Sequence, residues 1–113
     1  MDKQTYIELL NLDAKKYNYK NELIDFSLKN PNYISILISN VEKVDYENSR
    51  FSARILELTI KKNIELIIPF INTFCDFLNK VKFTQTIRSC SKICELLMIE
   101  YFIKDNVKII HSI

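Results

Sequence analysis

The chain has 113 residues, no Gly, two Pro, three Cys and one His, with 16 basic against 14 acidic side chains for a net charge of +2. That length suits one domain, here residues 1–113, with a modest core. The lack of Gly excludes a P-loop, a G-x-G-x-x-G dinucleotide turn and a G-x-S-x-G nucleophile elbow, each of which needs Gly for positive φ or for close backbone approach to a ligand.

Tight β-hairpins lean on Asn-Gly or Gly-X turns, so the chain is expected to be all-α, with Asn closing helices in place of Gly. Apolar residues recur at helical spacing almost throughout. Tyr6, Leu9, Leu10 and Leu12 predict a short first helix capped by Asp2. Tyr19, Leu23, Ile24, Phe26 and Leu28 predict a second, stopped at Asn30-Pro31 because the residue before Pro disfavours helical geometry. Pro31 suits the first turn of a third helix, which carries Tyr33, Ile34, Leu37, Ile38, Val41 and Val44. Asp45 to Ser49 reads as a polar connector. Phe51, Ile55, Leu58 and Ile60 mark a fourth helix, with Asn63 its stop. Ile67, Phe70, Ile71, Phe74, Phe77, Leu78 and Val81 form the clearest stripe, a fifth helix that Pro69 begins or kinks. A sixth, capped by Thr84 or Thr86, has Ile87, Cys90, Ile93, Cys94, Leu97, Met98 and Tyr101 on one side and Leu96, Ile99, Phe102 and Ile103 on the other. A helix apolar nearly all round is expected to be buried on two sides.

Short connections predict antiparallel neighbours, and an offset of 38 residues reveals an internal repeat. Pro31 falls on Pro69, Arg50 on Arg88, Arg54 on Lys92, Ile55 on Ile93, Glu57 on Glu95 and Leu58 on Leu96. The expected organisation is a leading helix pair over 2–30, repeats over 31–63 and 64–104, and a short tail over 105–113. Small residues at Ser52, Ala53, Cys90 and Ser91 suit close approach of stacked helices.

A period near 40 with two helices per unit is the size of HEAT and armadillo repeats. Arg50, Ala53 and Leu58 follow the pattern of a HEAT unit's second helix. The stretch Ser52–Asn63, then Leu66-Ile-Ile-Pro-Phe70, Arg88 and Lys92–Leu97 resembles a family of small bacterial HEAT-like (armadillo-type) repeat proteins of uncharacterised function. The likeness runs from about residue 17 to 103. It implies about six helices in antiparallel pairs, a short right-handed HEAT-like α-solenoid, and it carries over no catalytic residue. Members sometimes bear the label adenylosuccinate lyase. The residues here do not support that activity, because that superfamily is several times longer and uses a Ser- and Gly-rich mobile loop and catalytic His. Family members usually continue with further helices, so Leu96, Ile99, Ile103, Ile109 and Ile110 are the expected exposed edge, covered by a second copy or by another protein.

Four constellations carry chemistry in principle. Cys90 and Cys94, four apart on a helix, match half of a zinc site, with only Cys75 and His111 left as soft ligands, so core packing accounts for them better. Asp45 with Glu47, and Glu95 with Glu100, show no partner arrangement for acid–base work. The aromatic stripe Phe70, Phe74, Phe77 and Phe83 reads as core. Arg50, Arg54, Arg88 and Lys92 stack through the repeat into a basic stripe, beside Lys61, Lys62, Lys80 and Lys82. The plainer reading of that stripe is a solvated face, with Arg54 and Lys92 paired to Glu57 and Glu95 at i,i+3.

The expected function is therefore a non-catalytic protein-interaction or scaffold module that needs no metal or cofactor. The alternative is a nucleic-acid or anion binder using the basic stripe, which the low net charge disfavours. An odd Cys count without a signal-peptide pattern points to a reducing cytoplasm. The most apolar run, Leu66 to Leu78, is too short and too interrupted to span a bilayer.

Overall fold

The computed structural model describes residues 2–12, 14–42 and 46–103. Among these, six α-helices pack on one another and no strand occurs: α1 (Lys3–Leu10), α2 (Lys20–Lys29), α3 (Tyr33–Val41), α4 (Tyr46–Lys62), α5 (Ile71–Leu78) and α6 (Thr84–Leu97). Short 3₁₀ segments over Ala14–Tyr19 and Ile64–Phe70 lead into α2 and α5, and a π-helical turn over Met98–Ile103 follows α6. Val44, Asp45, His111 and the expected 105–113 tail lie outside the described residues. No described helix is long and apolar enough to cross a membrane.

Asp2 caps α1 as expected, its Oδ1 accepting the Thr5 amide at 2.8 Å. That bond to the charged form holds the Asp2 carboxyl below its ordinary pKa. Asn11, Asn30, Asn63 and Asn79 all follow helices, but none does so in the left-handed conformation, because no described residue has positive φ. Instead, the Asn11 and Asn30 Nδ2 groups donate back to the carbonyls of Ile7 and Phe26, four residues earlier. The Phe26 carbonyl also accepts the Asn30 backbone amide at 3.0 Å, so Asn30 holds the end of α2 through both its main chain and its side chain. Neither Thr84 nor Thr86 caps α6. Phe83 is the cap residue and makes no side-chain cap bond, while Thr86 is fully buried.

α4 is the hub. It packs on α1, α2, α3, α6 and the second 3₁₀ segment, most extensively on α3 and α6. Its sequence fits that position. Phe51, Ser52, Ala53, Ile55, Leu56, Thr59 and Ile60 are all buried, which takes in a wide arc of the helix. The helix also starts earlier than its polar opening suggests. Tyr46 to Ser49 is its first turn, not a connector, and Ser49 is buried.

Ser49 Oγ donates to the Val41 carbonyl at 2.6 Å and lies 3.1 Å from Thr86 Oγ1. A hydroxyl has one proton, so Thr86 donates to Ser49, and the relay Thr86→Ser49→Val41 ties α6 to α4 and α4 to the C-terminus of α3. Asn40 Nδ2 donates to Ser52 Oγ one turn along, which makes α3 and α4 antiparallel. The pairs Ser49–Thr86 and Tyr46–Phe83 (ring centroids 5.2 Å apart) share one sequence separation of 37, so α4 and α6 run parallel and side by side.

One apolar cluster runs through all six helices, from Tyr6 and Leu10 through Leu23, Ile34, Leu37, Leu56 and Ile67 to Phe74, Phe77 and Ile93. The buried Tyr6 hydroxyl meets Ser27 Oγ at 2.6 Å; Ser27 donates to the Leu23 carbonyl, so Tyr6 is the donor, and its burial keeps the phenol protonated. Pro69 sits inside the 3₁₀ segment, and α5 begins only after it, so the fifth stripe is divided between two kinds of helix.

The sixth stripe is less buried than expected. Cys90 and Ile93 lie in the core, but Ile87 is 46% exposed, and Cys94 and Ser91 are also on the surface. At the expected apolar edge Leu96 is half-buried and Ile99 is 45% exposed, beside exposed Met98 and Tyr101. The Ile103 side chain, Ile109 and Ile110 lie outside what is described.

Candidate functional site

The four cations of the expected stripe share one surface. Arg50 and Arg54 project from α4, and Arg88 and Lys92 from α6; together they line two adjoining concavities that have Arg54, Gln85 and Ser89 in common. The parallel register of α4 and α6 produces this arrangement. Positions one turn apart on each helix become neighbours across the interface, and the small buried Ser49 and Ser52 on α4 let the helices approach. Lys61, Lys62, Lys80 and Lys82 are exposed but line neither concavity.

The first concavity, about 280 Å³, is bounded by Tyr17, Lys20, Arg50, Phe51, Arg54, Gln85 and Ser89. Two of these residues, Tyr17 and Arg50, close a polar ring with Glu47. Arg50 Nη2 donates to Tyr17 Oη at 2.7 Å and to Glu47 Oε2 at 3.2 Å, and Tyr17 Oη donates to the same carboxylate oxygen at 3.2 Å. The Tyr17 bond, more than the Glu47 charge, favours the cationic form of Arg50. Beneath the ring, Tyr17 meets Phe51 edge-on at 5.0 Å. Lys16 is only 2% exposed; its Nζ donates to Asn48 Oδ1 at 3.0 Å and sits 5.3 Å from the Phe51 ring centre. A buried ammonium so held fixes the 3₁₀ segment, and with it Tyr17, against α4.

The second concavity, about 370 Å³, is bounded by Arg54, Glu57, Gln85, Arg88, Ser89 and Lys92. Here the expected i,i+3 pairs are present. Arg54 Nη1 lies 2.9 Å from Glu57 Oε2, and Lys92 Nζ lies 3.5 Å from Glu95 Oε2. Arg88 has no ion pair or hydrogen bond among the described residues. The Lys92–Glu95 pair is more than half exposed on both sides and contributes little, about 0–1 kcal/mol, so an incoming anion can displace it.

Tyr17, Lys20, Gln85, Ser89 and Lys16 escaped sequence reasoning. The 38-residue offset aligns α4 with α6 but does not extend back to α2. Gln85 and Ser89 carry no signal until Arg88 and Lys92 mark that face of α6.

The other constellations have structural explanations. Phe74 and Phe77 are buried and meet edge-on at 5.1 Å, while Phe70 and Phe83 are half-buried. Glu47 is bound in the Arg50 ring, and Glu95 pairs with Lys92. No group of three His, Cys, Asp or Glu among the described residues is placed to hold a metal ion.

The thiols differ sharply. Burial, reinforced by Cys94 and Glu57, pushes Cys90 up to about 12, and burial with Cys75 nearby also raises Cys94. Ellman's reagent at pH 8 is therefore expected to react with the exposed Cys75 and Cys94 and to leave the buried Cys90 until denaturant is added; three equal rates would contradict this. The neutral Cys90 thiol stabilises the fold fully below the ordinary thiol pKa, near 8.5. That contribution is lost as pH rises through about 12, so the alkaline fall in stability is expected to flatten in Cys90→Ala.

No family model matches the chain, and neither a curated protein nor a solved structure matches it.

Proposed function

We propose that the chain is a non-catalytic binding module, a short HEAT-like solenoid, that seats an acidic segment of a protein partner in the groove formed by α2, α4 and α6. The observation that carries this reading is the convergence of Lys20, Arg50, Arg54, Arg88 and Lys92, drawn from three helices, on one concave surface. The parallel run of α4 and α6 and the antiparallel α3–α4 pair support the solenoid reading.

The carboxylates favour a protein ligand over a nucleic acid. Glu57 lines the groove, and Glu47 and Glu95 pair with the groove cations Arg50 and Lys92. A continuous phosphate backbone would meet those negative charges at every turn. A peptide can place acidic side chains on the cations and polar or basic ones on the carboxylates.

Fluorescence anisotropy with a labelled acidic peptide tests the reading. Binding at low salt is expected, weakening as salt rises. The double charge reversal Arg54→Glu/Arg88→Glu is expected to weaken it at least about tenfold, equivalent to about 1.4 kcal/mol. Both side chains are exposed, so the fold should survive, as circular dichroism will show. Absence of peptide binding would overturn the proposal. Tighter binding of a single-stranded oligonucleotide than of the peptide would replace it with the nucleic-acid reading.

A further inference from the structure

We infer that the α4–α6 half of the groove is a subsite for one phosphate monoester dianion. This rests on the groove being a binding surface and adds the chemical group it selects.

The α6 wall is a run of donors. Gln85, Arg88, Ser89 and Lys92 stand at i, i+3, i+4 and i+7, on one face of the helix, and all four line the concavity. An amide NH₂, a guanidinium, a hydroxyl and an ammonium thus meet in one place. Arg54 arrives from α4 opposite them. The single carboxylate in the lining, that of Glu57, is only 12% exposed and is committed to Arg54 at 2.9 Å.

The charge balance selects a dianion. Arg54, Arg88 and Lys92 contribute three positive charges to the lining and Glu57 one negative, which leaves an excess of two. A carboxylate offers one charge and two oxygens. A phosphate monoester at neutral pH offers nearly two charges and three terminal oxygens, enough to engage a guanidinium fork, an ammonium and a hydroxyl together. Arg88 is the anchor because it has no ion pair or hydrogen bond among the described residues to give up. Its planar fork suits bidentate contact. Lys92 can turn in, since its 3.5 Å pair with Glu95 is more than half exposed on both sides. At the Tyr17 end, by contrast, Arg50 is already closed into a ring with Tyr17 and Glu47. The cavity, at about 370 Å³, leaves room for the group that bears the phosphate.

The test uses the full chain and four probes: a short acidic peptide with a central phosphoserine, the same peptide with Ser there, the same with Asp, and inorganic phosphate alone. The phosphopeptide is expected to bind about tenfold tighter than either unphosphorylated form, and inorganic phosphate to compete with it. Arg88→Gln is expected to weaken the phosphopeptide about tenfold more than the Ser peptide and so to erase that advantage, whereas Arg50→Gln lowers all peptides alike. Equal affinity for the phosphoserine and Asp peptides would overturn the subsite and leave the groove reading standing. Phosphate binding that Arg88→Gln abolishes, with no peptide bound, would keep the subsite, assign it to a free phosphate compound and end the peptide reading. No binding of any probe would overturn both.

Discussion

Replacing Phe51 with Ala is expected to destabilise the protein by about 3–5 kcal/mol, a large share of a total on the order of 5–15 kcal/mol for a domain of this size. Phe51 is 2% exposed on the hub helix α4, it receives the edge of Tyr17, and the Lys16 ammonium rests over its ring. Truncation removes the ring's apolar burial, leaves a cavity beneath the groove and strips a buried cation of one of its two aromatic neighbours. Urea unfolding will show the loss as a lower midpoint with an unchanged slope. Phe51→Leu keeps most of the volume and is expected to recover more than half of the loss. An Ala variant within about 1 kcal/mol of wild type would mean that α4 is not the hub described above. The same variant removes the ring that Tyr17 packs against, so acidic-peptide affinity is expected to fall even at temperatures where the chain stays folded.

The Thr86→Ser49→Val41 relay yields the second large effect. Ser49→Ala leaves the Val41 carbonyl without its donor and Thr86 without its acceptor, all in a region closed to water, at an expected cost of about 1–3 kcal/mol. Thr86→Val costs less, because Ser49 retains the carbonyl. A double-mutant cycle is expected to show a coupling of at least about 0.5 kcal/mol between the two sites. Strict additivity would mean that the hydroxyls do not communicate and that apolar packing alone sets the α4–α6 register. Peptide binding by the double variant reads the same question functionally, since a slip of one residue between these helices would separate the Arg54 and Arg88 walls.

Much of the helical architecture was legible in the residue order. The stripe Ile34, Leu37, Ile38 and Val41 is the buried face of α3, and Asp2 caps α1, because both signals depend on residues within one or two turns of each other. The polar stretch Tyr46–Ser49 was misleading for the opposite reason. Ser49 belongs to the core only because Val41 and Thr86, 8 and 37 residues away, supply its partners. Thr86 looked like a cap for the same reason. Cys94 and Ile87, apolar at helical spacing, lie on the surface because, among the described residues, α6 packs chiefly on α4.

The groove divides along the same line. Arg50 with Arg88 and Arg54 with Lys92 emerged as equivalent positions from the 38-residue offset, close to the separation of 37 at which α4 and α6 meet. Tyr17, Lys20 and the buried Lys16 did not emerge, because the contact of α4 with the first 3₁₀ segment and the start of α2 leaves no repeated spacing to read.

Periodicity, the absence of Gly and the placement of Asn and Pro were enough to make this a chain of helices, since each acts through the local backbone. Which polar groups turn inward, and which cations from separate helices come to share one concave surface, was decided only when the helices packed. A buried hydroxyl or a binding groove is a relation between distant segments, and its energy depends on the partner each group finds there.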